Sequence, residues 1–191
     1  RLCRHMHIPL QSGDNQILNA MGRPIRTEDY RALVEQIRLA VPGVAITTDV
    51  IVGFPGETQQ AFEITQTFIE SIGFAGGHVF TYSPRPGTAA NSMKDQVPSS
   101  VAKARNAVLR KLFCDLGRKY RDRFIGEHLD VLWESSTRGQ ADMWVLTGFT
   151  DNCLRVYANA QNELWNKISK VVMMGHHPRG QALKGEIVSN E

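Results

Sequence analysis

Three short stretches bring together the residue types that ligand chemistry needs: Gln11-Ser12-Gly13, Gly53-Phe54-Pro55-Gly56-Glu57 and Tyr82-Ser83-Pro84-Arg85. Each follows an apolar run and mixes glycine or proline with polar side chains. Glycine lets a ligand approach the backbone, and proline fixes a turn that loses no further conformational entropy on binding. In YSPRPGT (82–88) two prolines and a glycine exclude a helix or a central strand, so the run before it ends in a stiff, cationic turn. GFPGET lacks the lysine and the spacing of a Walker A loop. It reads either as a ligand-lining turn or as a tight strand-to-helix turn, with Glu57 and Thr58 favoured near the next helix's N-terminus. His5 and His7 share one strand face, as a metal-binding pair would. No carboxylate is placed to complete a zinc set, so no metal is expected, and a metal hydrolase is the third-ranked reading.

Charge adds a second candidate surface. The net charge of +3 says little as an average, but between Val101 and Gly126 eight basic residues face two acidic ones. The remaining 14 basic and 17 acidic residues carry a net −3, so the positive character is concentrated in one segment. Arg110, Lys111, Arg118 and Lys119 are its candidate phosphate contacts, the alternative being a solvated helix face. The three cysteines, Cys3, Cys114 and Cys153, are far apart and form no Cys-x-x-Cys spacing, which fits reduced thiols in a cytoplasmic protein. No signal peptide and no bilayer-length apolar run is present, so no membrane partner is expected. The chain opens on Arg1 at the edge of a predicted strand, as a segment of a longer polypeptide would.

These residues need a scaffold. HMHIPLQSG reads as a strand, DNQILNAMG as a short helix, and TEDYRALVEQIRLAVPG as an amphipathic helix. That second helix has Thr27 as N-cap and Tyr30, Leu33, Val34, Ile37 and Val41 on one face. AITTDVIVGF is a nearly continuous apolar run, as parallel strands covered on both faces are. TQQAFEITQTFIESIG follows as a helix burying Phe62, Phe68, Ile69 and Ile72, and GGHVFTYS as a third strand. Strands and helices alternating at this spacing predict a parallel sheet or partial barrel. Val101, Val108, Leu112, Leu116, Tyr120 and Phe124 mark one long helix. Beyond Glu127, HLDVLWESS, MWVLTGFT, CLRVYANA, ISKVVMMG and ALKGEIVS predict a small antiparallel barrel. The fold class is therefore α/β plus all-β, in two domains, 1–123 and 124–191. Trp133, Trp144 and Trp165 are read as core of that barrel in preference to stacking platforms.

In this order HIPLQSG, MGRPIRTEDY, TTDVIVGFPGET, HVFTYSPRPGTAA, DQVP and the Arg/Lys-rich helix closely resemble the tRNA methylthiotransferases of the radical-SAM superfamily. The resemblance covers essentially the whole chain. HIPLQSG and HVF before YSPRPGT look most like the branch acting on N6-threonylcarbamoyladenosine. The isopentenyladenosine branch is the alternative, and the ribosomal-protein branch typically departs from YSPRPGT.

The resemblance implies the second half of a six-stranded partial barrel, followed by a TRAM domain, an oligonucleotide-binding-like barrel that grips RNA. It implies S-adenosylmethionine as cofactor and two 4Fe-4S clusters whose ligands lie outside this chain. The segment alone is then expected to be inactive and to need the N-terminal half of the polypeptide, or to cover its open sheet edge by self-association. Gln11, Ser12, Arg23, Asp49, Gly53, Phe54, Pro55, Gly56, Glu57, Tyr82 and Ser83 are implied around the cofactor. Arg23 would pair with its carboxylate, unless it only caps a helix C-terminus. Arg85 would face the backbone of a tRNA anticodon stem-loop, or else be a solvated loop charge. An RNA-binding module without catalysis is the competing function.

Overall fold

A computed structural model describes residues 3–139, 143–178 and 180–188. Two compact units divide the chain: Met6–Leu116, and Gly117–Glu191 together with Arg1–His5. The division falls inside a helix, earlier than the expected boundary at Arg123.

The first unit is a three-stranded sheet, in the order β1 (His5–His7), β2 (Ala45–Val52), β3 (Gly76–Thr81), with helices between the strands. β2 and β3 are parallel, from Thr47 opposite Gly76 to Val52 opposite Thr81. β1 is shorter than HMHIPLQSG suggests, because Pro9 has no N–H to donate to a ladder. The chain past it is tied down by other bonds. Ile8 donates to the Thr47 carbonyl at 2.9 Å, Leu10 to the Thr48 hydroxyl at 2.9 Å, and Tyr30 to the Ile8 carbonyl at 2.6 Å. Gln11 then rejoins β2 through a bridge to Val50.

Helix α1 (Asn15–Ala20) starts at Asp14, whose carboxylate accepts the Gln16 and Ile17 N–H groups. Helix α2 (Thr27–Ala40) is capped by Arg26 rather than Thr27, with no side-chain cap bond. The Thr27 N–H instead donates to the Asn15 amide oxygen at 2.9 Å, so the loop before α2 is closed by α1. Of its expected stripe, Tyr30 and Val34 are buried, but Leu33 is 39% exposed. Helix α3 (Gln59–Ile72) behaves as its pattern demands. Thr58 caps it, Gly73 ends it in the left-handed conformation, and Phe62, Phe68, Ile69 and Ile72 are buried. Together these helices bury one sheet face around Tyr30, Ile46, Val50, Phe74, Leu109 and Phe113.

The opposite face corrects the reading of β2 as covered on both sides. Ile46, Thr48, Val50 and Val52 are buried, whereas Thr47, Asp49 and Ile51 are only half-buried. Period-two alternation with Thr and Asp in it marks a sheet with one open face.

Helix α4 (Ser99–Asp122) is one 24-residue element. Its buried line differs from the expected stripe, since Val101 and Val108 are exposed while Ala102, Arg105, Leu109, Phe113 and Leu116 are buried. In the second unit, β4 (His128–Arg138), β5 (Trp144–Thr150), β6 (Arg155–Ala160), β7 (Ile168–His176) and β8 (Leu183–Ile187) close into a barrel ordered β4-β5-β6-β8-β7. It is not wholly antiparallel: β6 and β8 run parallel. Trp133 is fully buried in its interior and donates its indole N–H to the Ser169 hydroxyl at 3.0 Å. Trp165, expected in the core, is 62% exposed.

Candidate functional site

The three strand ends differ in what they leave available. Gln11 has φ 70°, a left-handed conformation unusual for a non-glycine residue. Its N–H and C=O are both in the sheet, bonded to Asp49 and Ile51 at 2.8 and 2.9 Å. Ser12, read as a polar cofactor contact, is fully buried. Its hydroxyl lies 3.2 Å from that of Thr65 and accepts the Asp14 N–H. Its role in the structure is to tie the β1 end to α3.

At the second end Gly53 has φ 76°, and a Cβ there would stand 2.5 Å from that of Ala102 on α4, so only glycine fits. Glu57 folds back into this turn. Its Oε2 accepts the Gly53 N–H at 2.6 Å and the Arg105 guanidinium at 2.8 Å, and Arg105 also donates to the Glu57 carbonyl at 2.8 Å. Both side chains are buried. Burial pushes the Glu57 carboxyl up, against the Gly53 N–H and Arg105, which pull it down. The Gly53 N–H and Glu57 Oε2 are thus occupied internally, while Glu57 Oε1 is buried with no hydrogen-bond partner among the described residues, and GFPGET is a braced turn. Phe54 and Pro55 are buried, Gly56 is exposed.

The third end meets the second. Tyr82 donates its N–H to the Val52 carbonyl at 2.9 Å, and its ring meets Phe54 edge-on at 5.3 Å. Ile17, Met21, Ala61 and Met93 pack around this pair. The Tyr82 hydroxyl is buried and, among the described residues, has no hydrogen-bond partner. Ser83 and Arg85 are exposed, and the Arg85 carbonyl accepts both the N–H and the hydroxyl of Thr88. Arg23 is exposed just past α1, and its N–H donates to the Leu18 carbonyl.

Between these ends, the open sheet face carries a carboxylate held by two imidazoles. Asp49 Oδ2 lies 3.2 Å from His7 Nε2, and Asp49 Oδ1 lies 3.2 Å from His78 Nδ1. His7 Nδ1 is also 3.0 Å from the Thr47 hydroxyl. Among the described residues no three His, Cys, Asp or Glu side chains are arranged to hold a metal ion.

Residues 2–69 match the Radical SAM superfamily. The chain is 34% identical over 192 residues to the threonylcarbamoyladenosine tRNA methylthiotransferase MtaB of Bacillus subtilis, covering 100% of this chain and 43% of that protein. It is 42% identical over 149 residues to the tRNA-2-methylthio-N(6)-dimethylallyladenosine synthase of Geobacillus kaustophilus, covering 78% of this chain and 28% of that protein. The MtaB of Thermotoga maritima is 44% identical over 134 residues, 70% of this chain and 31% of the relative. The chain belongs to the radical-SAM tRNA methylthiotransferases. It spans less than half the length of these relatives. Coproporphyrinogen III oxidase (HemN) of Escherichia coli, a radical SAM enzyme, shares the fold, with a TM-score of 0.50 at 15% identity over 75% of this chain and 40% of its own.

For this methylthiotransferase segment, the cysteines do not fit a cluster. Cys3, Cys114 and Cys153 are exposed and form no disulfide among the described residues, and Cys114 belongs to a different unit from the other two. Burial, the Cys3 thiol and nearby acids push the Cys153 thiol up, away from the thiolate that binds iron. The candidate phosphate contacts Arg110, Lys111, Arg118 and Lys119 are all exposed. Two other basic residues of the same segment are not: Arg105 and Arg121 are buried. Arg105 is the site residue that charge counting conceals. The signal for it is phase, since it stands three residues after Ala102 and four before Leu109 on the buried line. No helix among the described residues is long and apolar enough to cross a membrane.

Proposed function

We propose that this chain is the part of a cytoplasmic tRNA methylthiotransferase that presents the strand-end side of an S-adenosylmethionine pocket and holds the tRNA. The whole protein would add sulfur and a methyl group at adenine C2 of N6-threonylcarbamoyladenosine beside the anticodon. The observation that carries the reading is the likeness to the Bacillus MtaB, which runs the full length of the chain. The Geobacillus likeness, at higher identity over fewer residues, supports the dimethylallyladenosine nucleoside as the second reading. The first unit is read as half of a six-stranded partial barrel. The second is read as a TRAM-like oligonucleotide-binding barrel, in keeping with its five-strand closure.

S-adenosylmethionine supplies the one-electron chemistry and the methyl group when bound with the two clusters of the whole protein, whose ligands this chain does not provide. The residues present fit the nucleoside part of that cofactor. Phe54 and Tyr82 offer a ring edge beside an unpartnered hydroxyl, which is the combination a nucleoside base needs. Gln11 presents an amide from a left-handed turn, and the exposed Arg23 would meet a carboxylate bidentately. Asp49 with its two histidines gives the open sheet face a polar floor. Arg105 and Glu57 Oε2 hold the GFPGET turn that would line the adenosyl part.

Binding of an anticodon stem-loop by the full chain, titrated with salt, tests the RNA half of this reading. Each neutralised phosphate should contribute about 0.7–0.9 to the slope of log K against log salt. Replacing Arg118 and Lys119 together by Ala should lower both affinity and slope. Equal slopes for the two proteins would show these charges to be a solvated helix face.

A further inference from the structure

The barrel carries a groove of about 510 Å³ over β5, β6 and β8 that none of the residues discussed so far occupies. Tyr157 and His177 line it, with rings stacked at 4.3 Å between centroids and 18° between planes. Topology puts them there. Tyr157 lies on β6 between the buried Val156 and Ala158, so alternation turns it outward. Across the parallel ladder Tyr157 stands in register with Lys184. His177 follows β7, and its N–H donates to the Ala182 carbonyl at 2.9 Å. Asn159 and Met174 complete the walls, Met174 being 52% exposed.

Two polar-tipped rings stacked beside an open groove form a π platform outside the core. A third ring cannot enter between them, because insertion needs two contacts of about 3.5 Å each. It can extend the stack from outside. The groove is a poor phosphate site, since Glu186 stands in the same wall as Lys184. It suits a flat, uncharged heteroaromatic ring whose edge can bond to Asn159 or Lys184.

We infer that this groove is a stacking site for one unpaired nucleobase of an RNA strand, distinct from the phosphate contacts of α4. The inference takes its ligand class from the tRNA reading above and its location from the Tyr157–His177 pair.

The test uses the full chain and a short single-stranded oligoribonucleotide carrying 2-aminopurine, beside the same strand with an abasic site at that position. The intact strand should bind more tightly than the abasic one by about 5- to 150-fold, the range of one stacked base. Tyr157→Leu should remove that advantage without changing the salt slope, and Tyr157→Phe should keep it. The abasic comparison needs no variant, so it decides even if Tyr157→Leu fails to fold. Equal binding of the two strands, or an equal loss in Tyr157→Phe and Tyr157→Leu, would overturn the site. With equal binding but a steep salt slope, the tRNA reading survives and the groove is left for another partner, such as a peptide. If neither strand nor stem-loop binds at any salt concentration, both readings fall.

Discussion

Removing the guanidinium of Arg105 should cost the first unit much of its stability. Arg105→Met keeps most of the aliphatic stem that packs in the core but leaves the Glu57 carboxylate with the Gly53 N–H as its remaining donor among the described residues. The Glu57 side chain is 1% exposed and that of Arg105 7%, so solvent screens the pair very little. Breaking such a pair from one side costs about 3–5 kcal/mol, because the survivor is a buried unpaired charge. That is a large share of the roughly 5–15 kcal/mol that holds a domain together. The loss should depend on pH with a definite sign. Burial already raises the Glu57 carboxyl above its ordinary 4.5, and without Arg105 it should rise further. The native state then binds the proton more readily than the unfolded chain. Its contribution is complete below about pH 4.5 and is lost as pH rises through the native value. The deficit of Arg105→Met should therefore be smallest in mild acid and grow toward neutrality, and adding Glu57→Gln should recover most of it. Urea unfolding followed by far-UV circular dichroism at a series of pH values measures this. A neutral-pH deficit under about 1 kcal/mol, or one that does not shrink in acid, would refute the reasoning.

Gly53→Ala should destabilise the same unit by about 1–3 kcal/mol, from its φ of 76° and the Ala102 contact, seen as a lowered urea midpoint. In the barrel, Trp133→Phe should cost about 1–3 kcal/mol by opening a void and orphaning the Ser169 bond, whereas Trp165→Phe should stay within about 0.5 kcal/mol. Thermal melts of the two variants would separate core from surface tryptophan. The half-open sheet should drive self-association, so sedimentation velocity should show species larger than a monomer at micromolar concentration. A strict monomer would contradict that.

The helices were legible because each carries its own periodicity: Phe62, Phe68, Ile69 and Ile72 bury where a 3.6-residue repeat puts them. The five barrel strands were legible for the same local reason. Their closure into a small barrel was expected from the spacing of short strands, but the parallel β6–β8 pair was not, since it depends on contacts distant in sequence. The open face of β2 was visible in Thr47 and Asp49, but the β-branched run around them suggested burial on both sides. At the site, motif residues were easy to find and their partners were not. Ser12 and Glu57 have the right chemistry for a ligand, yet Thr65 engages the Ser12 hydroxyl, and Gly53 and Arg105 engage Glu57 Oε2. Arg105 itself is concealed in the basic segment, because a count of charges carries no information about which side of a helix each one takes.

The proposal that the chain is part of an enzyme modifying threonylcarbamoyladenosine in tRNA can be tested by mass spectrometry of tRNA nucleosides. The samples would come from the source organism with and without the gene encoding this chain. On deletion 2-methylthio-N6-threonylcarbamoyladenosine should disappear, its unthiolated precursor should accumulate, and the methylthio-dimethylallyl nucleoside should be unchanged. Loss of the dimethylallyl form instead would move the protein to the other branch, and persistence of both methylthio nucleosides would contradict the account.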